Sequence, residues 1–235
     1  MTIVRYTALH KQRVEAADCS SQDVVKSLFA DKEFNDKHHL GAVNSINWAR
    51  ILAQTVYYVL SYFQLLKSLP ETANPDEIEI QYVVPTGNFG DVLAGYYVKR
   101  MGLPMGKLVV ATNANDILTR FWKTGRYEKV DSSLAIDAGG VRETLSPAMD
   151  ILVSSNFERL LWYLAYEDSQ GPDFQSKRRQ AGEMVAGWMD KVKREGRIEV
   201  SPTALGIARR DFDAERADDN QVSFTPVQCA WPHNF

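Results

Sequence analysis

An open, mostly parallel α/β sheet with flanking helices is the fold class the sequence predicts, and three observations predict it. Ile78, Ile80, Tyr82, Val83 and Val84 are β-branched or aromatic and stop at Pro85, as a buried parallel strand does. Gly87-Asn88-Phe89-Gly90 follows as a glycine-bracketed turn, and Asp91–Arg100 has helical composition. Lys107–Thr112 (KLVVAT) then reads as a second strand, giving a strand-helix-strand unit for which a right-handed parallel connection is expected.

Composition fits that class. A chain of 235 residues with 45% apolar content can bury a sizeable core. A net charge of −3, with both signs interspersed, gives no electrostatic case for nucleic acid or an anionic membrane. Cys19 and Cys229 lie far apart, which argues against a disulfide framework or a thiolate metal site, and the cytoplasm is the expected location. MTIVRYTALHKQR lacks the apolar core and cleavage site of a secretory leader. Ile51–Leu66 falls short of the ~18 residues of a membrane span.

In chain order, Ser20 or Ser21 can cap a helix over Gln22–Ala30, whose Val24, Val25, Leu28 and Phe29 form an apolar face. His38 and His39 are neighbours rather than an i, i+4 pair, so a solvated loop is expected and no metal site. A long helix begins at Asn44 or Ser45 and runs to about Leu69; its interior is apolar nearly all round, which suits packing on both sides. Leu69–Glu77, with Pro70 and Pro75, is a surface connection.

After the second strand, Asn115 or Asp116 caps a helix over Ile117–Lys123 that stops near Gly125. Asp131–Arg142, with Gly139-Gly140, reads as a mobile loop. Ser146-Pro147 has the pattern of a helix start, and Ser155-x-x-Glu158 that of a capping box before a core face of Leu160, Leu161, Tyr163 and Leu164. Ser176–Glu195 is an amphipathic outer helix ended by Gly196. Asp218–Phe235 shows no foldable pattern.

The turn at 87–90 carries the chemistry. Two residues without Cβ let the backbone turn sharply and approach a bound group. Amides at a helix start, at the positive end of its dipole, suit a phosphate. A tight turn with no ligand is the alternative. The chain has no G-x-x-x-x-G-K-[ST] and no G-x-G-x-x-G, which argues against a nucleoside triphosphate or dinucleotide site of those kinds.

VPTGNFGDVLAGYYVKRMGLP resembles the cofactor-phosphate loop and following helix of threonine synthases, fold type II enzymes dependent on pyridoxal 5′-phosphate (PLP). GAVNSINWARILAQ (41–54), ATNANDILTRF (111–121) and TLSPAMDILVSSNFERLLWYLA (144–165) agree in the family's order, and the match is to the fungal-type enzymes. It covers Val14–Arg216 as a partial domain, leaving 1–13 as an extension and 217–235 as a divergent tail.

The resemblance implies part of a tryptophan synthase β-like fold. It implies a lyase that converts O-phospho-L-homoserine and water to L-threonine and phosphate. By the same resemblance Gly87, Asn88, Phe89, Gly90 and Asp91 hold the cofactor phosphate, chiefly through backbone donors. Ser45, Asn47 and Arg50 hold the substrate phosphate, although on sequence grounds alone they are a cap, a first-turn polar residue and a surface charge. Asn113, beyond the carboxyl end of the second strand, is expected to line the substrate cleft, in a loop whose plainer reading is the helix cap by Asn115 or Asp116.

The sequence also departs from the family. AADCSS stands where a glycine and a Phe-Asp-Asp-like run are expected. These 235 residues contain no F-K-D-like motif for the Schiff-base lysine, and no D-P-H-T-A-V-G or S-T-A-H-P-A-K-F-like segment. The expectation is a central portion that retains the phosphate cradle, carries no catalytic residue and is inactive alone. The alternative is a non-catalytic truncated homologue that binds a phosphorylated ligand or a partner chain.

Overall fold

The computed structural model describes residues 27–41, 45–70, 79–129 and 141–216, in two compact units, Met1–Asn47 and Trp48–Phe235. The expected loop at 131–142 lies outside the described residues except for its last two, as does the tail from 217.

In the first unit, residues 27–30 are helical, in line with the end of the expected Gln22–Ala30 helix. Helix α1 (Lys32–His38) starts where the Asp31 carboxylate accepts the Phe34 N–H at 3.0 Å. His39 ends it in the left-handed region at φ 49°. The two histidines therefore close a short exposed helix rather than forming a loop, and among the described residues no cluster could hold a metal ion. Ser45 and Ile46 form a turn.

The second unit is built on a parallel sheet in the order β1-β2-β5, with β1 Val83–Pro85, β2 Leu108–Thr112 and β5 Phe212–Arg216. Val84 pairs with Val110, and Val110 with Ala214. β2 is the central strand, and its Leu108 and Val110, which share one face of the sheet, are fully buried. β1 is shorter than the expected run and lies at the sheet edge, exposing Val83 and burying Val84. Edge placement is also what tolerates Pro85, which has no N–H to donate.

Helix α2 (Trp48–Ser68) packs on α3 (Gly90–Arg100), and α3 packs on β1 and β2. α4 (Ile117–Thr124) ends at Gly125, whose φ of 77° is the left-handed stop that glycine permits. β3 (Arg126–Glu128) pairs antiparallel with β4 (Arg197–Glu199). α5 (Phe157–Asp168) packs against α6 (Phe174–Glu195) and α7 (Pro202–Asp211). α6 has the expected Gly196 stop at φ 76°, and its N-cap is Asp173. No described helix is long and apolar enough to cross a membrane.

Three expectations need correction. α2 buries one face only, Ile51, Thr55, Tyr58 and Tyr62, and exposes the other. Ser146-Pro147 opens a single 3-10 turn, Pro147–Met149, instead of a helix. Ser155 does not cap α5: Asn156 holds the N-cap position and makes no side-chain cap bond, because its amide is directed elsewhere.

Candidate phosphate-binding turn

The turn is shaped by two residues in the left-handed region, Gly87 at φ 39° and Phe89 at φ 65°. Glycine adopts that region freely, but for phenylalanine it costs about 1–2 kcal/mol. Burial offsets the cost. The Phe89 ring is fully buried, 5.3 Å from the Phe157 centroid and 6.2 Å from that of Trp122, and burying such a side chain contributes about 1.5–3 kcal/mol. Phe89 is thus the pin that fixes the turn to the core.

Its backbone is committed too. The Phe89 N–H donates to the Thr86 carbonyl at 2.6 Å, and the Phe89 carbonyl accepts the Leu93 N–H at 3.1 Å, which starts α3. Of the five residues assigned to the cofactor phosphate, Phe89 therefore brings an anchor and no available donor. The Gly87 N–H meets the Met149 Sδ at 3.3 Å. Among the described residues the N–H groups of Asn88, Gly90, Asp91 and Val92 have no partner, and no side chain caps the helix. These are the donors that a helix start leaves unpaired.

The carbonyls of the turn are tied back, which aims the amides away from them. Asn88 C=O accepts both the N–H of Asn156 at 3.0 Å and its Nδ2 at 3.1 Å. Gly87 C=O accepts the Ser154 hydroxyl at 3.0 Å. Ser154 is held in turn by its N–H donating to the buried Tyr127 hydroxyl at 3.0 Å. A Cβ at Gly90 would meet Asn156 Nδ2 and Gln54 Oε1 at 3.5 Å, so the turn is closely packed without being sealed.

Asp91 is the one acid here. Its Oδ1 is buried with no hydrogen-bond partner among the described residues, and burial pushes its carboxyl above the ordinary carboxylate range. Its carbonyl accepts the Tyr58 hydroxyl at 2.9 Å, which fixes α3 to α2. The donor set suits an anion with several acceptor oxygens, and a phosphate matches it.

Asn113 lies at the carboxyl end of β2 as expected, but its side chain is saturated by protein groups. Its Nδ2 donates to Thr144 Oγ1 at 2.9 Å and Asp150 Oδ1 at 2.8 Å, and its Oδ1 accepts Asn115 N–H at 2.8 Å and Asn115 Nδ2 at 3.2 Å. That engages both donors and both lone pairs of the amide with protein groups. Asp116 occupies the N-cap of α4, yet its carboxylate bonds Arg120 Nε at 2.9 Å instead of the helix amides.

Of the expected substrate-phosphate residues, Ser45 and Asn47 belong to the first unit and are half-buried. Arg50 is exposed in the first turn of α2, which begins at Trp48 rather than at 44 or 45.

Ser154, Asn156, Met149, Asp150 and Tyr127 were not singled out from the sequence. The only sign of the first four was their place in TLSPAMDILVSSNFER, where Ser155 drew attention as a cap.

No family model matches the chain. It is 52% identical over 224 residues to the threonine synthase of Schizosaccharomyces pombe, covering 94% of this chain and 42% of that protein. The solved threonine synthase from yeast superposes with a TM-score of 0.68 at 50% identity, over 86% of this chain and 36% of the other. The PLP-bound threonine synthase from Brucella melitensis superposes with a TM-score of 0.64 at 42% identity, over 87% and 38%. Relatedness at this level over nearly the whole length leaves one conclusion: the chain belongs to the threonine synthase family, and it spans 42% of the length of the S. pombe relative it matches.

Proposed function

We propose that these residues form the phosphate-anchoring portion of a threonine synthase-type lyase that takes PLP as cofactor and O-phospho-L-homoserine as substrate. The carrying observation is the set of amides at Asn88, Gly90, Asp91 and Val92, unpartnered among the described residues, beside turn carbonyls that Ser154 and Asn156 tie back. The Gly87 N–H joins the set where it exchanges its sulfur partner for a phosphate oxygen. Bound there, PLP would supply an electron-accepting ring that stabilises negative charge developing on the substrate.

The chain's own residues bind and orient. The turn fixes one end of the cofactor, and the pin at Phe89 keeps the amides from rearranging as charge arrives. For a second anion, the substrate phosphate, the resemblance points to Ser45 and Asn47 in the first unit and, separately, to Arg50 in the second. Asn113 acts at one remove, through Thr144 and Asp150. By resemblance, covalent attachment of the cofactor needs a lysine in an F-K-D-like motif, and no such motif occurs within these 235 residues.

Two measurements test this. PLP binds the chain saturably and competes with inorganic phosphate, whereas O-phospho-L-homoserine with PLP releases no threonine. Threonine formation by the chain alone overturns the inactivity, and binding indifferent to phosphate overturns the cradle.

A second reading, binding without catalysis, draws on the exposed face of α2, where Trp48, Leu52, Val56, Tyr57, Leu60 and Phe63 are each 48–64% exposed. An apolar stripe of that kind marks an association surface. The occupant that fits is a chain carrying the part of the synthase fold outside the 36% matched in the yeast structure. Coexpression with that part yields a stable complex under this reading; a chain that stays alone sinks it.

A further inference from the structure

Resting on the phosphate-cradle reading, we propose that the Met149 thioether is the resident acceptor of the turn, a placeholder that an arriving phosphate must displace.

Two donors on the cradle's rim converge on one sulfur. The Gly87 N–H reaches Met149 Sδ at 3.3 Å and the Thr86 hydroxyl reaches it at 4.0 Å. Gly87 stands at φ 39°, so its amide direction is set by a conformation that glycine permits. With the neighbouring Ser154 hydroxyl on the Gly87 carbonyl, both backbone groups of Gly87 are engaged.

The sulfur is held in place by the chain around it. Met149 ends the 3-10 turn Pro147–Met149, and the next residue, Asp150, anchors that turn. The Asp150 carboxylate accepts the Thr144 N–H at 2.8 Å, the Thr144 hydroxyl at 2.7 Å, Asn113 Nδ2 at 2.8 Å and Asn115 Nδ2 at 3.1 Å. The anchor therefore connects the carboxyl end of β2 to the segment that delivers the sulfur.

The choice of atom decides what the contact does. A thioether is a weak acceptor, so it lessens the cost of leaving a half-buried amide unpaired without holding that amide firmly. A phosphate oxygen makes a charge-assisted bond about twice as strong as a neutral one, so exchange runs toward the ligand. Methionine is also flexible enough to swing aside while Asp150 keeps its anchors. The arrangement sets affinity by competition.

It also creates a modification site. Met149 is half-buried, within reach of a small oxidant. Hydrogen peroxide transfers one oxygen to the sulfur and leaves water, which converts the weak acceptor into a polar sulfoxide. The sulfoxide oxygen would hold the Gly87 amide more firmly and resist displacement.

The test uses pyridoxamine 5′-phosphate, which has no aldehyde to react with surface lysines, and pyridoxamine as the control without phosphate. Binding is followed by equilibrium dialysis for wild type and Met149→Leu, each before and after mild peroxide treatment. Met149→Leu keeps the volume and removes the acceptor, so the phosphorylated probe binds roughly three- to tenfold tighter, the range one modest hydrogen bond spans. Peroxide weakens binding to wild type and leaves Met149→Leu unchanged. If wild type binds the phosphorylated probe no better than pyridoxamine, the cradle reading falls and this inference falls with it. If it discriminates between them but Met149→Leu binds equally or more weakly, or peroxide acts alike on both proteins, the cradle stands and the placeholder is refuted.

Discussion

Asp150 shows how one side chain ties the 144–150 segment to the carboxyl end of β2. Some loss of solvent pushes its carboxyl upward, but hydrogen bonds from the Thr144 hydroxyl, the Thr144 N–H and Asn113 outweigh this and hold it below the ordinary carboxylate range. A lowered folded value means that ionised Asp150 stabilises the fold above its unfolded pKa of about 3.9, and that the contribution disappears as pH falls through the folded value. Below about pH 4, then, the 141–150 segment should loosen before the core does. Limited proteolysis between Thr144 and Asp150 by an acid-active protease reads this directly; Asp150→Asn should be cut there already at neutral pH, and resistance in that variant sinks the account. Little of this was visible in the sequence. Gly87 to Gly90 announced itself because glycine spacing is a local signal, whereas Asn156 meets Asn88 across 68 residues and Asn113 meets Asp150 across 37. Residue type and place at a strand end made Asn113 a reasonable ligand, and its full set of protein partners could not be read from the sequence.

The elements that the sequence marked well are those with a strong local signature. α3 and β2 were placed within about a residue of where they occur, and Gly125 and Gly196 end their helices as their conformational freedom predicts. β3, β4 and β5 went unread because Arg126–Glu128, Arg197–Glu199 and Phe212–Arg216 are rich in charge and lack the β-branched run that marked β1 and β2. α7 went unread although Ser201-Pro202 carries the same cap-and-proline signal as Ser146-Pro147. The two sites differ in the residues after the proline: Ala204 and Ala208 are buried one turn apart in α7, while no residue of the 147–149 turn is buried. Packing between elements is more demanding still. At the α2–α3 contact a Cβ on Gly95 would fall 2.7 Å from the Tyr58 ring, a distance real side chains do not tolerate. Gly95→Ala gains helix propensity, but overpacking should outweigh it and destabilise the fold by about 1–3 kcal/mol. Thermal unfolding checks the sign. In a Tyr58→Ala background the same substitution should lose most of its cost, because the ring that it meets is gone; equal costs in both backgrounds would show that the ring is not the obstacle.

At the scale of the molecule, the distribution of apolar surface is uneven. The sheet, α3, α4 and α5 enclose a core of aromatic rings, with Phe157 within 6 Å of Phe89, Phe121, Trp122 and Tyr127. α2 is different: it is apolar nearly all round, as the sequence predicts, yet only the Ile51–Tyr62 face is covered. Periodicity could identify an all-apolar helix and could not say what covers its second face. Trp48, Leu52, Val56 and Leu60 stand at i, i+4 spacing along the open side and so form one stripe rather than scattered exposures. Water contact with such a stripe costs free energy that any apolar cover recovers, at about 25 cal/mol per Å². The stripe should therefore bind a hydrophobic dye in the folded protein, and Leu52→Lys with Leu60→Lys should abolish most of that binding. Both side chains already face solvent, so the double variant should keep its melting temperature. Loss of dye binding with an unchanged melt places the open surface on α2. A large drop in the melt would instead mean that these leucines belong to the packed interior, and undiminished dye binding would put the exposed apolar surface elsewhere.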